Sequence, residues 1–165
     1  VMSNLGLYRA LEAADIKYEQ TTVGDRYVYE NMRANGYTIG GEQSGHTILS
    51  KYATTGDGLL TAIMLLEELC DKKESLSKLC EGLVFYPQHL VNLKVKDKKA
   101  ALSDTELLKR KKEIEDKIGS RGRVILRESG TEPVIRVMVE AATLEECECY
   151  VDGVIEVIKK QGHAV

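Results

Sequence analysis

A strong charge of one sign, a membrane-length apolar run and paired cysteines are all missing from this sequence. The 165 residues carry a formal net charge of -3, too close to neutrality to argue for a nucleic acid or an anionic membrane as partner. The most apolar run, Leu59 to Leu69, is interrupted by Glu67 and Glu68 and is too short to span a bilayer. No secretory signal stands at the start. The cysteines Cys70, Cys80, Cys147 and Cys149 form no Cys-x-x-Cys pair, so zinc is not expected and free thiols in a reducing cytoplasm are. His46, His89 and His163 are scattered, and no Asp-x-Asp-x-Asp run occurs, so the chain is not expected to hold a metal. What remains is an ordinary soluble balance, 43% hydrophobic and 30% charged, at a length that allows one domain or two small ones. The opening at Val1 reads like mid-domain sequence, and a fragment of a longer protein is expected.

The most informative stretch is Arg127-Glu128-Ser129-Gly130-Thr131-Glu132-Pro133. It lies between the strand-like runs Gly122 to Leu126 and Val134 to Glu140. Alternation puts Ile135, Val137 and Val139 on one face of the second strand and Arg136 on the other, with Val134 and Met138. Gly130 is expected to supply an unusual backbone angle, and Pro133 to hold Glu132 extended. Two arginines thus flank a turn with two hydroxyls and free backbone N–H groups, which makes a plausible phosphate cradle. The same residues also describe a polar hairpin turn whose arginines lie in water, and Glu128 and Glu132 oppose an anion unless they point away.

Taken in order, Val1 to Asn4 reads as the end of a strand, Leu7 to Ala14 as a helix and Ile16 to Glu19 as a short strand. Gly24 to Met32 is a helix with Asn35-Gly36 as its stop. Tyr37 to Gly40 and His46 to Leu49 are strands, and Thr54 to Gly58 caps a helix over 56–72. The apolar positions of that helix (Leu59, Leu60, Ile63, Leu66, Cys70) are expected to pack on a sheet. The boundary falls near 75–83, giving domains 1–76 and 84–165. Beyond it come a strand over Tyr86 to Val95, a helix, two strands and a final helix. Ser103 with Glu106 and Thr143 with Glu146 have capping-box spacing. The last helix aligns Leu144, Cys147, Val151, Val154, Ile155 and Ile158. The fold class is α/β and α+β: an incomplete α/β layered domain, then a small antiparallel-sheet domain with helices on one face. Lysines at 94–99 and 109–112 read as solvated surface.

A second motif is Gly40-Gly41-Glu42-Gln43-Ser44-Gly45-His46. Glu42 can accept from two neighbouring sugar hydroxyls, and Gln43 and Ser44 can donate and accept. A Gly-rich turn between two strands accounts for it equally well.

Together the two motifs resemble the α-D-phosphohexomutase family, and within it the bacterial phosphoglucosamine mutase branch. Val23 to Val28 and Thr54 to Leu59 extend the resemblance over essentially the whole chain. It implies part of a third domain and a complete fourth, the fourth being TATA-binding-protein-like. It assigns substrate binding to Glu42, Ser44, His46, Arg127, Ser129, Gly130, Thr131 and Arg136. Gln43 matches the amino-sugar members, which makes a glucosamine phosphate the expected partner. Another phosphohexomutase (phosphomannomutase or phosphoglucomutase) and a non-catalytic sugar-phosphate-binding module stay open, as does a homodimer. The family's phosphorylated serine and its Mg2+ loop have no counterpart in this sequence. The magnesium ligands are therefore expected elsewhere in the full-length enzyme, and no residue here is assigned a catalytic role.

Overall fold

The computed structural model describes residues 1–165, which divide into two compact units, Val1–Val84 and Phe85–Val165.

The first unit opens with α1 (Leu5–Ala13). Asn4 is not strand but cap, its side-chain oxygen accepting from the Gly6 amide at 2.9 Å. Ile16–Glu19 is not strand either. Asp15 turns the chain with a φ of 54°, and Tyr18 stacks on Tyr8 with ring centroids 5.1 Å apart. Next come α2 (Asp25–Asn35), β1 (Ile39–Gly41) and β2 (Thr47–Leu49). The two strands pair antiparallel with Gly40 opposite Ile48. A Cβ on Gly40 would lie 2.3 Å from the Met32 sulfur and 2.6 Å from Val28 Cγ1, so only glycine lets β1 rest directly on α2. Val28, Met32 and Ile48 form the small core there, flanked by Tyr29 and Tyr37.

α3 (Gly58–Lys72) starts at Asp57, whose carboxylate accepts from the Leu60 amide at 2.9 Å. Most of its apolar stripe stays uncovered, although one side of α3 meets β2. No residue of α3 is buried, and Leu59, Ile63 and Leu66 are 80%, 62% and 59% exposed. The two-stranded hairpin is too small to cover a helix of this length. A single-turn helix, α4 (Leu76–Leu79), closes the unit.

The second unit runs β3 (Gln88–Lys94), α5 (Lys98–Leu102), α6 (Thr105–Ile118), β4 (Arg123–Glu128), β5 (Val134–Glu140) and α7 (Leu144–Lys160). Its antiparallel sheet has the order β3-β5-β4, with helices on one face as expected. Ile135, Val137 and Val139 of the central strand are completely covered. They pack with Ala101, Leu107, Ile114, Ile118, Cys147, Val151, Val154 and Ile158, each large aliphatic contributing about 1.5–3 kcal/mol by leaving water. Thr143 caps α7 as its spacing predicts, accepting from the Glu146 amide. Leu144 is off the buried face, 50% exposed.

Ser103 is not the cap of α6. It ends α5, and Asp104 caps α6 by accepting from the amides of Glu106 and Leu107. An aspartate beside a serine competes for the same role, and its charge suits the positive helix end better. The C-terminal tail returns to this corner: His163 Nε2 lies 2.9 Å from Asp104 Oδ2, and Ala164 bridges to Val95.

Candidate functional site

In the first unit, the loop between β1 and β2 brings Glu42, Ser44 and His46 together. Gly45 takes a φ of 95°, a left-handed conformation that favours glycine. The Glu42 amide donates to the His46 carbonyl at 2.9 Å and the Gly45 amide to the Glu42 carbonyl at 3.0 Å. Ser44 Oγ and His46 Nδ1 are 3.0 Å apart, and Glu42 Oε2 lies 3.9 Å from the same nitrogen. Glu42 Oε1 accepts from the Gly24 amide at 2.7 Å. This last contact ties the loop to the start of α2. Spacing alone did not reveal it, because it joins residues far apart in sequence. The acceptor capacity that Glu42 retains, the Ser44 hydroxyl and the half-exposed imidazole form a polar edge suited to hydroxyl groups. The hollow beside it, about 30 Å³ and bounded by Val28, Glu42 and Gln43 among others, has room for water and not for a hexose.

In the second unit, the β4–β5 hairpin carries the other predicted residues. Arg127 stands directly opposite Arg136, and Arg136 opposite Asn92 of β3, so the three share the face turned away from the helices. Nε of Arg127 and Nε of Arg136 are both buried without a hydrogen-bond partner. Burial, and then the neighbouring Arg136 charge, lower the Arg127 pKa from its ordinary value. Like charges set opposite each other across a sheet are unfavourable, and a buried donor left unsatisfied costs about 1–3 kcal/mol. An anion between the guanidinium groups would relieve both.

The turn itself differs from expectation in two ways. Gly130 has no positive φ; it is open instead, with nothing within 4 Å of where a Cβ would stand. Ser129 is 1% exposed and braces the loop. Its amide donates to the Val134 carbonyl at 3.0 Å, and its hydroxyl oxygen accepts from the Glu132 amide at 3.3 Å. The amides of Gly130 and Thr131 donate to nothing in the chain, and both residues are exposed. Glu128 does not oppose an anion on the arginine face, because strand alternation sends its side chain to the opposite side. There it lies 3.9 Å from the Lys98 ammonium.

Asn92 and Lys98 are the neighbours that motif reading missed. Neither belongs to a recognisable pattern, and only the sheet register and the position of α5 bring them to the hairpin.

Residues 1–85 match phosphoglucomutase/phosphomannomutase, alpha/beta/alpha domain III, and residues 90–157 match the C-terminal domain of the same family. The chain is 57% identical over 165 residues to a phosphoglucosamine mutase of Lachnospira eligens, covering 100% of this chain and 37% of that protein. It is 52% identical to a phosphoglucosamine mutase of Lachnoclostridium phytofermentans, covering 99% and 36%. The chain thus spans little more than a third of the length of these relatives. Among solved structures, Aspergillus fumigatus N-acetylphosphoglucosamine mutase superposes with a TM-score of 0.82 at 18% identity, over 98% of this chain and 38% of that one. The same mutase in complex with GlcNAc-6P and magnesium gives 0.57 at 22% identity, over 66% and 22%. These likenesses establish the fold. Matched along both of its units, the chain belongs to the phosphoglucomutase/phosphomannomutase family.

Proposed function

We propose that this chain is the C-terminal, substrate-binding part of a phosphoglucosamine mutase, an enzyme that interconverts glucosamine 6-phosphate and glucosamine 1-phosphate through a phosphoserine and a bisphosphate intermediate. In this reading Glu42, Ser44 and His46 take the ring hydroxyls. Arg127, Arg136 and the amides of Gly130 and Thr131 grip the phosphate that is not being transferred, while Ser129 shapes their loop. A fixed grip suits the cycle, because the sugar must present either end in turn. The observation that carries the reading is two buried guanidinium Nε atoms without partners on a hairpin whose tip offers two unengaged amides.

No three or more His, Cys, Asp or Glu side chains converge in this chain. The residues present therefore offer magnesium no donor set, and the proposed enzyme would hold it with residues outside this chain. Phosphoryl transfer needs a donor held in line and a cation to offset developing charge. The chain alone accordingly binds and does not turn over. Its four free cysteines suit a reducing cytoplasm, which is where we place the enzyme.

Charge-assisted hydrogen bonds contribute roughly 1.5–3 kcal/mol each before the costs of association. The isolated chain is expected to bind glucosamine 6-phosphate near millimolar, about -4 kcal/mol. Calorimetric titration of wild type and Arg127→Ala tests this: the variant should show no binding. Equal affinity in the two would remove the hairpin from the site.

A further inference from the structure

We infer that Lys98 is a positioning residue of the phosphate turn, acting through the backbone of residues 129–132. The inference rests on the reading of that turn given above and adds a residue that no motif marks.

Lys98 is the first residue of α5, set in place by Asp97, whose carboxylate accepts from the amides of Lys99 and Ala100. α5 lies on the helix side of the sheet, its Ala101 completely buried in the core. From that side the Lys98 ammonium donates to the Ser129 carbonyl at 2.6 Å and more weakly to the Glu132 carbonyl at 3.4 Å. Two residues before the α5 cap, the Val95 amide donates to the Pro133 carbonyl at 3.1 Å. The hairpin is thereby held by its carbonyl groups from behind.

The consequence follows from peptide geometry. The Ser129 carbonyl and the Gly130 amide belong to one planar unit, which is trans because the chain has no cis bonds. In a trans unit the C=O and N–H point in opposite directions. Drawing the Ser129 oxygen toward Lys98 on the helix side therefore turns the Gly130 N–H away from it. That amide makes no bond within the chain, and the bare Gly130 leaves the approach to it open. Lys98 also brings a positive charge to the base of the turn, on the side opposite the arginines, with Glu128 as its carboxylate neighbour at 3.9 Å. A preorganised donor aimed at the ligand is worth more than one that must reorient on binding.

The test is titration of the whole 165-residue chain with inorganic phosphate, followed by amide NMR, for wild type, Lys98→Met and Lys98→Arg, with thermal unfolding measured in parallel. In the wild type the Gly130 and Thr131 amides should shift on titration. Lys98→Met should weaken phosphate binding about tenfold, the scale seen when a residue that orients a metal ligand is removed, with unfolding still cooperative and its midpoint well above the titration temperature. Lys98→Arg, which keeps the charge and donors, should bind much as wild type. Wild-type shifts at Gly130 and Thr131 with an unchanged Kd in Lys98→Met would overturn this inference and leave the phosphate turn standing. Wild-type amides that do not move would overturn the turn assignment itself, and the inference with it. Should Lys98→Met fail to fold, Lys98→Ala, which also lacks a donor, carries the same comparison, and undiminished binding there would overturn the inference equally.

Discussion

Arg127 and Arg136 face each other across two hydrogen-bonded strands, and neither guanidinium finds a carboxylate in the chain to offset its neighbour. A protein selected for stability alone would place an acid beside them, as it does a few residues on: Arg123 Nε lies 2.6 Å from Glu140 Oε2 on the same face. The contrast between a paired arginine at one end of the strand and two unpaired Nε atoms at the other is why we propose a ligand charge between Arg127 and Arg136. Asp104 provides a simpler test of how single charges act here. The hydrogen bond to His163, and then that to the Leu107 amide, hold its pKa below the ordinary carboxylate value. A group whose folded pKa is depressed adds stability above its unfolded pKa and loses it as pH falls through the folded one. Asn caps a helix as well as Asp does, so Asp104→Asn isolates the charge. The variant should be less stable than wild type at pH 7, and the difference should vanish on acidification below pH 3.8, the ordinary aspartate value. Urea melts across that range check it; a difference that persists in acid would contradict the charge assignment.

Among the elements, the well-patterned ones were legible in the sequence. β5 alternates so strictly that its core residues and the face of Arg136 follow from period alone. α7 announces itself by Thr143 and the Cys147, Val151, Val154, Ile158 stripe. The shorter elements were less so. α5 is a five-residue helix with no periodicity to detect, and the capping-box spacing pointed to Ser103 because the true cap, Asp104, has Leu107 three residues on. α3 is the instructive case, since its apolar stripe was visible in the sequence while Leu59, Ile63 and Leu66 are exposed in the structure. Ile135→Ala in the covered strand should cost about 2–5 kcal/mol of the second unit's stability. Leu59→Ala on the uncovered helix should change stability by no more than about 0.5 kcal/mol. Chemical denaturation of both variants measures the contrast, and a large loss for Leu59→Ala would show that α3 is packed after all.

For the molecule as a whole, the two motifs fall in different units, and each unit presents its motif on a loop held by regular structure. The loop we propose for the sugar is held by β1, β2 and the start of α2. The phosphate turn is fixed by β4, β5 and α5. Motif reading found the residues of both loops because glycine, arginine and hydroxyl side chains recur there in an ordered string. It singled out the turn at Gly24 but not its bond to Glu42, and it missed Asn92 and Lys98, because these contacts depend on tertiary register. The central claim is that Arg127, Arg136 and the turn between them form one anion site. Its most direct measurement is the pair of guanidinium Nε–H signals in the 15N spectrum during titration with inorganic phosphate. The account predicts that both signals shift together with the amides of Gly130 and Thr131, along a single binding curve. If the two Nε–H signals stay fixed while exposed lysines respond to phosphate, the arginine pair is not an anion site.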